Sequence, residues 1–169
     1  LPALRLLILI SIVAAVILAG LGFMAWRFGA KMCTDPLRRH PFTGAVLITT
    51  GLAAGFGSLV LIFFSDDGAT LPPIMLVTSI ACGFTAYRYH LRWPLLLGLL
   101  FFFHGIGFEH AYLGHGGYAS DIHDPKVMAI IGLATAVAGL WHEQVLERDR
   151  LHRAAGFGRL YLIFGLLYL

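Results

Sequence analysis

The sequence predicts an all-α protein, a polytopic integral membrane bundle of six transmembrane helices in one domain that covers residues 1–169. Composition is the first reason: 59% of the residues are hydrophobic and only 12% are charged, whereas soluble domains carry about 25% charged residues. The second reason is that apolar runs close to the ~20 residues needed to cross a bilayer recur along the chain. The third is an alternation of basic and non-basic loops between those runs.

The six spans are predicted from apolar runs bounded by polar loops. The first two, residues 6–26 and 42–64, contain no charged side chain. Three later spans begin close to a proline, at Pro72, Pro94 and Pro125, and proline is tolerated in a first helical turn because its missing N–H costs no hydrogen bond there. The sixth apolar run reaches the last residue, and we expect that span to continue beyond it. These four spans are predicted over residues 71–87, 93–113, 127–144 and 160–169.

The distribution of basic residues predicts the orientation of the bundle. Of the twelve Lys and Arg residues, ten lie in the first, third and fifth loops, and only Arg5 and Lys126 lie on the other side. Basic residues accumulate in loops that stay in the cytoplasm. We therefore expect the odd loops inside and the N-terminus outside, in the inner membrane of a bacterium. The net charge of +3 is explained by these loops and does not predict binding to nucleic acid.

Small residues on the predicted helices indicate how they pack. Gly51 and Gly55 on the second span, and Gly132 and Ala136 on the fifth, have the four-residue spacing of a GxxxG motif. In lipid no hydrophobic effect drives helices together, so close backbone contact at small residues takes its place. We expect these faces to join helices within the chain and against other membrane subunits or a second copy, with the bilayer covering the rest.

His104 is the histidine predicted to lie deepest in the membrane. It follows Pro94 by ten residues, which places it about 15 Å along the fourth span at 1.5 Å per residue. An ionisable group at that depth is a functional hypothesis by default. His104 could ligate a haem or pigment, relay protons, or stay neutral and hydrogen-bonded to a neighbouring span. Candidate partners in the last case are a backbone carbonyl or the hydroxyls of Thr49, Thr50, Thr78, Ser79 and Thr135.

A second histidine group is predicted at the outer boundary of the fourth span and in the loop that follows. Imidazole and carboxylate groups suit zinc, copper or iron, so this group is a candidate metal site. The alternative is a polar interfacial loop whose side chains meet water and lipid headgroups. The predicted metal-binding residues are Glu109, His110, His115 and His123.

The inner end of the fifth span reads WHEQVLERDR, residues 141–150. Trp141 is the type of residue that anchors a helix at the membrane interface. Glu143 and Glu147 are four residues apart on one face, where each can pair with a basic neighbour. This pattern is typical of a solvated helix end, and that is the interpretation that we adopt for His142 and both glutamates.

The stretch RRHPFTG, residues 38–44, resembles the RHP motif of integral-membrane isoprenylcysteine methyltransferases and their bacterial relatives. In that family an RHPxYxG stretch opens a helix, and a glutamate pair follows after one hairpin to meet the methyl donor. Here His40 and Pro41 match, Thr43 stands at the tyrosine position and Gly44 comes one position early. The resemblance implies methyl transfer, with Glu143 and Glu147 as the candidate glutamate pair, three further spans along the chain.

The sequence therefore favours a non-catalytic membrane protein, an accessory or scaffold subunit of a larger bacterial membrane complex. It contains no GxSxG, HExxH or Walker sequence, and we assign no catalytic residue and no specific cofactor. The alternative is a membrane-embedded redox protein that binds a metal, haem or pigment through His104 or the outer histidines. A methyltransferase-like enzyme is the lesser alternative.

Overall fold

A computed structural model describes the backbone of residues 2–34, 40–63, 70–113, 125–147 and 156–169. Side chains are described in the same ranges, apart from residues 2–7, 107–113 and 125. Every regular element within these ranges is a helix, so the predicted all-α class is confirmed.

The described chain forms six helices, and each overlaps one predicted span. The fifth helix continues past its α-helical part as a π-helical turn, His142–Leu146. Among the residues whose side chains the structure describes, three segments are long and apolar enough to cross a membrane: Ile8–Thr34, Pro41–Phe63 and Lys126–Leu146. The helices are α1 (Pro2–Thr34), α2 (Pro41–Phe63), α3 (Leu71–Tyr89), α4 (Arg92–Leu113), α5 (Pro125–Trp141) and α6 (Phe157–Leu167).

The six helices pack as three antiparallel hairpins, α1 with α2, α3 with α4, and α5 with α6. The α3/α4 hairpin is central, since α3 and α4 contact α2 on one side and α4 contacts α6 on the other. Its turn is tight: His90 adopts a left-handed conformation with φ of 56°, and the Leu91 amide donates to the Ala86 carbonyl oxygen at 3.0 Å. The end of α3 meets the start of α4, and the end of α5 meets the start of α6, at the same end of the bundle. We call this end the hairpin end.

Glycines facing one another join α1 to α2. A Cβ placed on Gly51 would lie 2.5 Å from the Gly22 carbonyl oxygen, and one on Gly29 would lie 2.6 Å from the Gly44 carbonyl oxygen. Both helices carry their glycines seven residues apart, so successive pairs recur every two turns along a left-handed crossing. We call Gly22, Gly29, Gly44 and Gly51 the α1/α2 seam.

The same construction joins α5 to α6. A Cβ on Gly132 would lie 2.8 Å from the Gly165 carbonyl oxygen, and one on Gly139 would lie 2.8 Å from that of Gly158. These four glycines, again seven residues apart on each helix, form the α5/α6 seam. The predicted Gly132 and Ala136 face does pack, with both residues against Gly165.

The close contacts of the α3/α4 hairpin involve glycines of α4 facing side chains of α3. A Cβ on Gly98 would lie 3.0 Å from the Cys82 Cβ, and one on Gly105 would lie 3.2 Å from the Met75 Cβ. These two glycines are also seven residues apart, so all three hairpins share one period. The main buried core lies between this hairpin and α6, where the Phe103 ring stacks on Tyr168 with centroids 4.2 Å apart.

The predicted pair Gly51 and Gly55 is divided by the structure. Gly51 lies in the α1/α2 seam, whereas a Cβ on Gly55 would meet nothing within 4 Å. The closest contacts between the helices recur every seven residues, so Gly55, four positions from Gly51, borders the seam only through its amide nitrogen, 3.4 Å from the position of a Cβ on Gly22. The GxxxG interpretation of α2 is therefore wrong for the Cβ side of Gly55.

Alanine substitution should separate these two glycines. Gly51→Ala should lower the free energy of unfolding by about 1–3 kcal/mol, because its methyl group would overlap the Gly22 carbonyl oxygen. Gly55→Ala is the matched control, one turn away on the same helix, and it should leave stability unchanged or raise it by up to about 1 kcal/mol. Equilibrium unfolding in mixed detergent micelles, followed by circular dichroism, measures both. Equal effects of the two substitutions would show that the α1/α2 seam is wrongly placed.

Candidate functional site

His104 lies on α4 and is half-buried. Its Nδ1 is 2.9 Å from the Leu100 carbonyl oxygen, one turn earlier on the same helix. The prediction of a partner on a neighbouring span is therefore wrong, because the unpaired carbonyl lone pair within reach belongs to the histidine's own helix. The hydroxyls of Thr49, Thr78 and Thr135 likewise bond carbonyl oxygens of their own helices.

The predicted outer metal site lies outside the described side chains. Glu109 and His110 fall in the backbone of α4, but the structure describes neither side chain, and His115 and His123 lie outside the described residues altogether. Within the described part of the chain, no three His, Cys, Asp or Glu side chains are grouped as a metal site would require. The proposed metal ligands stay a prediction.

The most organised polar group lies instead at the hairpin end, where α5 changes its winding. In an α-helix, residues five apart project about 140° apart at 3.6 residues per turn. The π-helical turn has wider i→i+5 winding, and it brings His142 and Glu147 onto one side. The His142 Nδ1 lies 3.0 Å from Glu147 Oε1, and His142 is only 3% exposed.

Glu147 joins the end of α5 to the start of α6. Its Oε2 accepts a hydrogen bond from the Gly156 amide, and its Oε1 accepts one from the Gly158 amide, both at 2.7 Å. These amides belong to the first turn of α6, where N–H groups lack helical partners and the helix dipole favours a negative charge. The carboxylate therefore caps α6 and holds it against the π-helical turn.

The hydrogen bonds to Glu147 also set its protonation. Burial by itself would raise the pKa of Glu147, but hydrogen bonds from the Gly158 and Gly156 amides and from His142 outweigh that effect. The net result is a pKa below the ordinary value for glutamate. An ionised carboxylate only accepts hydrogen bonds, so His142 donates its Nδ1 proton to Glu147.

Three aromatic rings enclose His142. The ring centroids of Tyr87, Phe157 and Tyr161 lie 5.7, 6.1 and 6.0 Å from that of the imidazole. The hydroxyls of Tyr87 and Tyr161 lie 3.3 Å apart. The second imidazole nitrogen, Nε2, is buried and makes no hydrogen bond to any described residue.

Arg92 lies beside this group, at the start of α4. Gly156 has φ of +92°, a left-handed conformation that suits glycine, and a Cβ there would lie 2.8 Å from the Arg92 guanidinium carbon. The left-handed Gly156 lets the chain turn into α6. The Gly156 and Gly158 amides then face Glu147, and the Arg92 guanidinium lies against the other side of Gly156. Residues from α3, α4, α5 and α6 all contribute to this site.

The interpretation of His142, Glu143 and Glu147 as a solvated helix end is wrong for His142 and Glu147. The half-buried Glu143 behaves as predicted, pairing with Arg159 at 3.3 Å. The sequence pattern does not predict the pairing of His142 and Glu147, because residues five apart do not share a face of an α-helix. Gly156 and Gly158, a small pair just before an apolar run, are the one sequence signal of a carboxylate cap.

The methyltransferase-like stretch is described by the structure from His40 onward, and Arg38 and Arg39 lie outside the described residues. Pro41 opens α2, and the Gly44 amide donates to the His40 carbonyl oxygen at 2.9 Å. Gly44 itself belongs to the α1/α2 seam. Glu143 and Glu147, the glutamates that the resemblance implied, contact α6 instead.

No family model, curated protein or solved structure matches this chain. The function is therefore argued from geometry. The chemistry that the hairpin end offers is an imidazole oriented by a carboxylate, with one buried ring nitrogen that has no hydrogen-bond partner among the described residues.

Substituting Glu147 should test the cap and its pH dependence. Glu147→Gln should lower the free energy of unfolding by about 1–3 kcal/mol, because the amide accepts fewer of the three hydrogen bonds. Since folding lowers the pKa of Glu147, its contribution is present above the pKa of unfolded glutamate, about 4.3, and is lost as the pH falls through the folded pKa. Unfolding in detergent at a series of pH values should show this acid loss in the wild type and a smaller one in Glu147→Gln.

Glu143→Gln is the matched control, because it removes a carboxylate from the same helix end. Its ion pair with Arg159 is exposed, and such pairs contribute about 0–1 kcal/mol. If both variants lost equal stability with the same pH profile, the capping role of Glu147 would be refuted.

Proposed function

We propose that all six helices cross the inner membrane of a bacterium, with the N-terminus outside and the hairpin end in the cytoplasm. We further propose that the protein works there as a non-catalytic accessory or scaffold subunit that packs against other membrane proteins. The orientation rests on the basic residues of the odd-numbered loops, and the spans and the scaffold role rest on the distribution of small and large apolar residues over the helix surfaces.

The observation that carries the proposal is the outer face of α1. The side of α1 that bears the seam packs on α2, while large apolar side chains around the rest of the helix stay exposed. An apolar surface of this length must face hydrocarbon or another transmembrane helix. Its exposed residues are Ile8, Leu9, Ile10, Ile12, Val13, Val16, Ile17, Leu21, Phe23, Met24 and Phe28.

Apolar grooves between the hairpins also support the proposal. The α1/α3 groove, about 480 Å³, lies between the first hairpin and α3 and includes Gly22, Gly55 and Ala81 in its lining. The α3/α5 groove, about 520 Å³, lies between the second and third hairpins and includes Gly83 and Ala138. Each hairpin is tightly joined within itself, whereas these surfaces between hairpins stay open to other apolar groups.

Photo-crosslinking from α1 tests the scaffold role. Benzoylphenylalanine in place of Phe28, which is 56% exposed, should give an adduct with a second polypeptide in native membranes. The same replacement of Phe103, which is fully buried, should give none. Native mass spectrometry after gentle extraction should show the matching complex. A monomer in that experiment, together with no adduct from position 28, would exclude the scaffold role.

Cysteine labelling tests the orientation. In a variant with Cys33→Ser and Cys82→Ala, single cysteines at Ser120 and at Ala154 should react from opposite sides of the membrane. Restoring Cys33 alone adds a marker that should share the side of Ala154, because both follow odd-numbered spans. Labelling of Ser120 and Ala154 from the same side would contradict the six-span topology.

A second candidate function is cofactor binding by His104. The contact between His104 Nδ1 and the Leu100 carbonyl oxygen favours the tautomer with the proton on Nδ1, which leaves Nε2 as a lone-pair ligand. An absorption spectrum with metal analysis of the purified protein decides this candidate. A pigment or haem band that disappears in His104→Leu would establish it, and an absence of any chromophore or stoichiometric metal would exclude it.

A further inference from the structure

The α3/α5 groove has the shape of a site for a single hydrocarbon chain. Its volume, about 520 Å³, falls in the range of about 300–1,000 Å³ typical of small-molecule sites. It extends along α5 at least from Ile130 to Ala138, which is about 12 Å at 1.5 Å per residue. Small residues make it wide, among them Gly83, Ala134 and Ala138. A Cβ on Gly83 would meet nothing within 4 Å.

The largest polar group of the lining lies at one end of the groove. Tyr161, on the first turns of α6, is a lining residue, and its hydroxyl is 3.3 Å from that of Tyr87. This separation is long for two hydroxyls, which usually approach to about 2.7–2.8 Å. Each tyrosine oxygen therefore has capacity for a stronger partner.

His142 lies directly behind Tyr161. Its Nε2 is buried without a hydrogen bond to any described residue, and its Nδ1 is engaged by Glu147. Nε2 accepts a hydrogen bond when the ring is neutral and donates one when the ring is charged, and a hydroxyl can serve as its partner in both cases. The negative charge of Glu147 on the other side of the ring disfavours an anionic head.

We propose that the α3/α5 groove binds a membrane-dissolved alcohol with a single aliphatic or isoprenoid chain. The chain lies between α3 and α5, and the hydroxyl lies at the Tyr161 end. There the hydroxyl shares hydrogen bonds with the tyrosine pair, next to His142. A fatty acid of the same length fits the groove but brings a second carboxylate toward Glu147.

A photoreactive probe tests the proposal on the full chain in lipid nanodiscs. The probe is hexadecanol with a mid-chain diazirine and a terminal alkyne, and the comparison is the hexadecanoic acid of the same design. The alcohol should label peptides of α3 and α5 and should label them more strongly than the acid does. Tyr161→Phe removes one hydroxyl and should lower the labelling by the alcohol about fivefold, the effect of one hydrogen bond, without changing labelling by the acid.

Filling the groove supplies the second arm of the test. Ala134→Phe places a ring in the groove and should abolish labelling of α3 and α5, and Ala138→Leu does so with a smaller change if the first variant fails to fold. Ala14→Phe is the control, because Ala14 is exposed on α1 and lines neither groove. Undiminished labelling in both groove variants, equal labelling by alcohol and acid, or labelling confined to α1 would each overturn the proposal.

Discussion

The close approach of helix backbones at glycine is the constraint on which the rest of the structure depends. In hydrocarbon no water is expelled when helices meet, so the attraction between them comes from packing at short range. A side chain at any of the four positions of the α1/α2 seam would hold the two backbones apart, since a Cβ at each would lie within 3 Å of the opposite helix. The α5/α6 seam obeys the same geometry, and so the two outer hairpins share one construction.

The hairpin-end site follows from the α5/α6 seam. Gly158 contacts the Gly139 carbonyl oxygen and the Glu143 Cβ through its bare Cα, which brings the first turn of α6 against the end of α5. Only at that separation can Glu147 reach the Gly156 and Gly158 amides at 2.7 Å. Since the same carboxylate orients His142, a substitution in the seam should act on the imidazole as well as on helix packing.

The sequence predicts the helices well because hydrophobicity in a membrane is read over long runs. The predicted fifth span, 127–144, lies within the segment that the structure shows as Lys126–Leu146. Contacts between helices are harder to predict, since they depend on a crossing angle that no single helix encodes. Gly51 and Gly55 fit a four-residue motif, but the seven-residue pairs with α1 become visible only when both helices are aligned. The His142 and Glu147 pair is hidden for a different reason: the π-helical turn changes the period on which any assignment of faces rests.

Two kinds of glycine divide the bundle into joined and open surfaces. A Cβ on Gly22, Gly29 or their partners would lie within 3 Å of another helix, whereas the Cβ sides of Gly55 and Gly83 face the grooves and meet nothing within 4 Å. A glycine whose Cβ side is open forgoes the dispersion contacts that a larger residue would make there. Its effect is to widen the space between hairpins, and the α3/α5 space ends at the tyrosine pair beside His142. The residues that join each hairpin therefore give the bundle its rigidity, and the residues that keep the hairpins apart define where an apolar molecule or helix can enter.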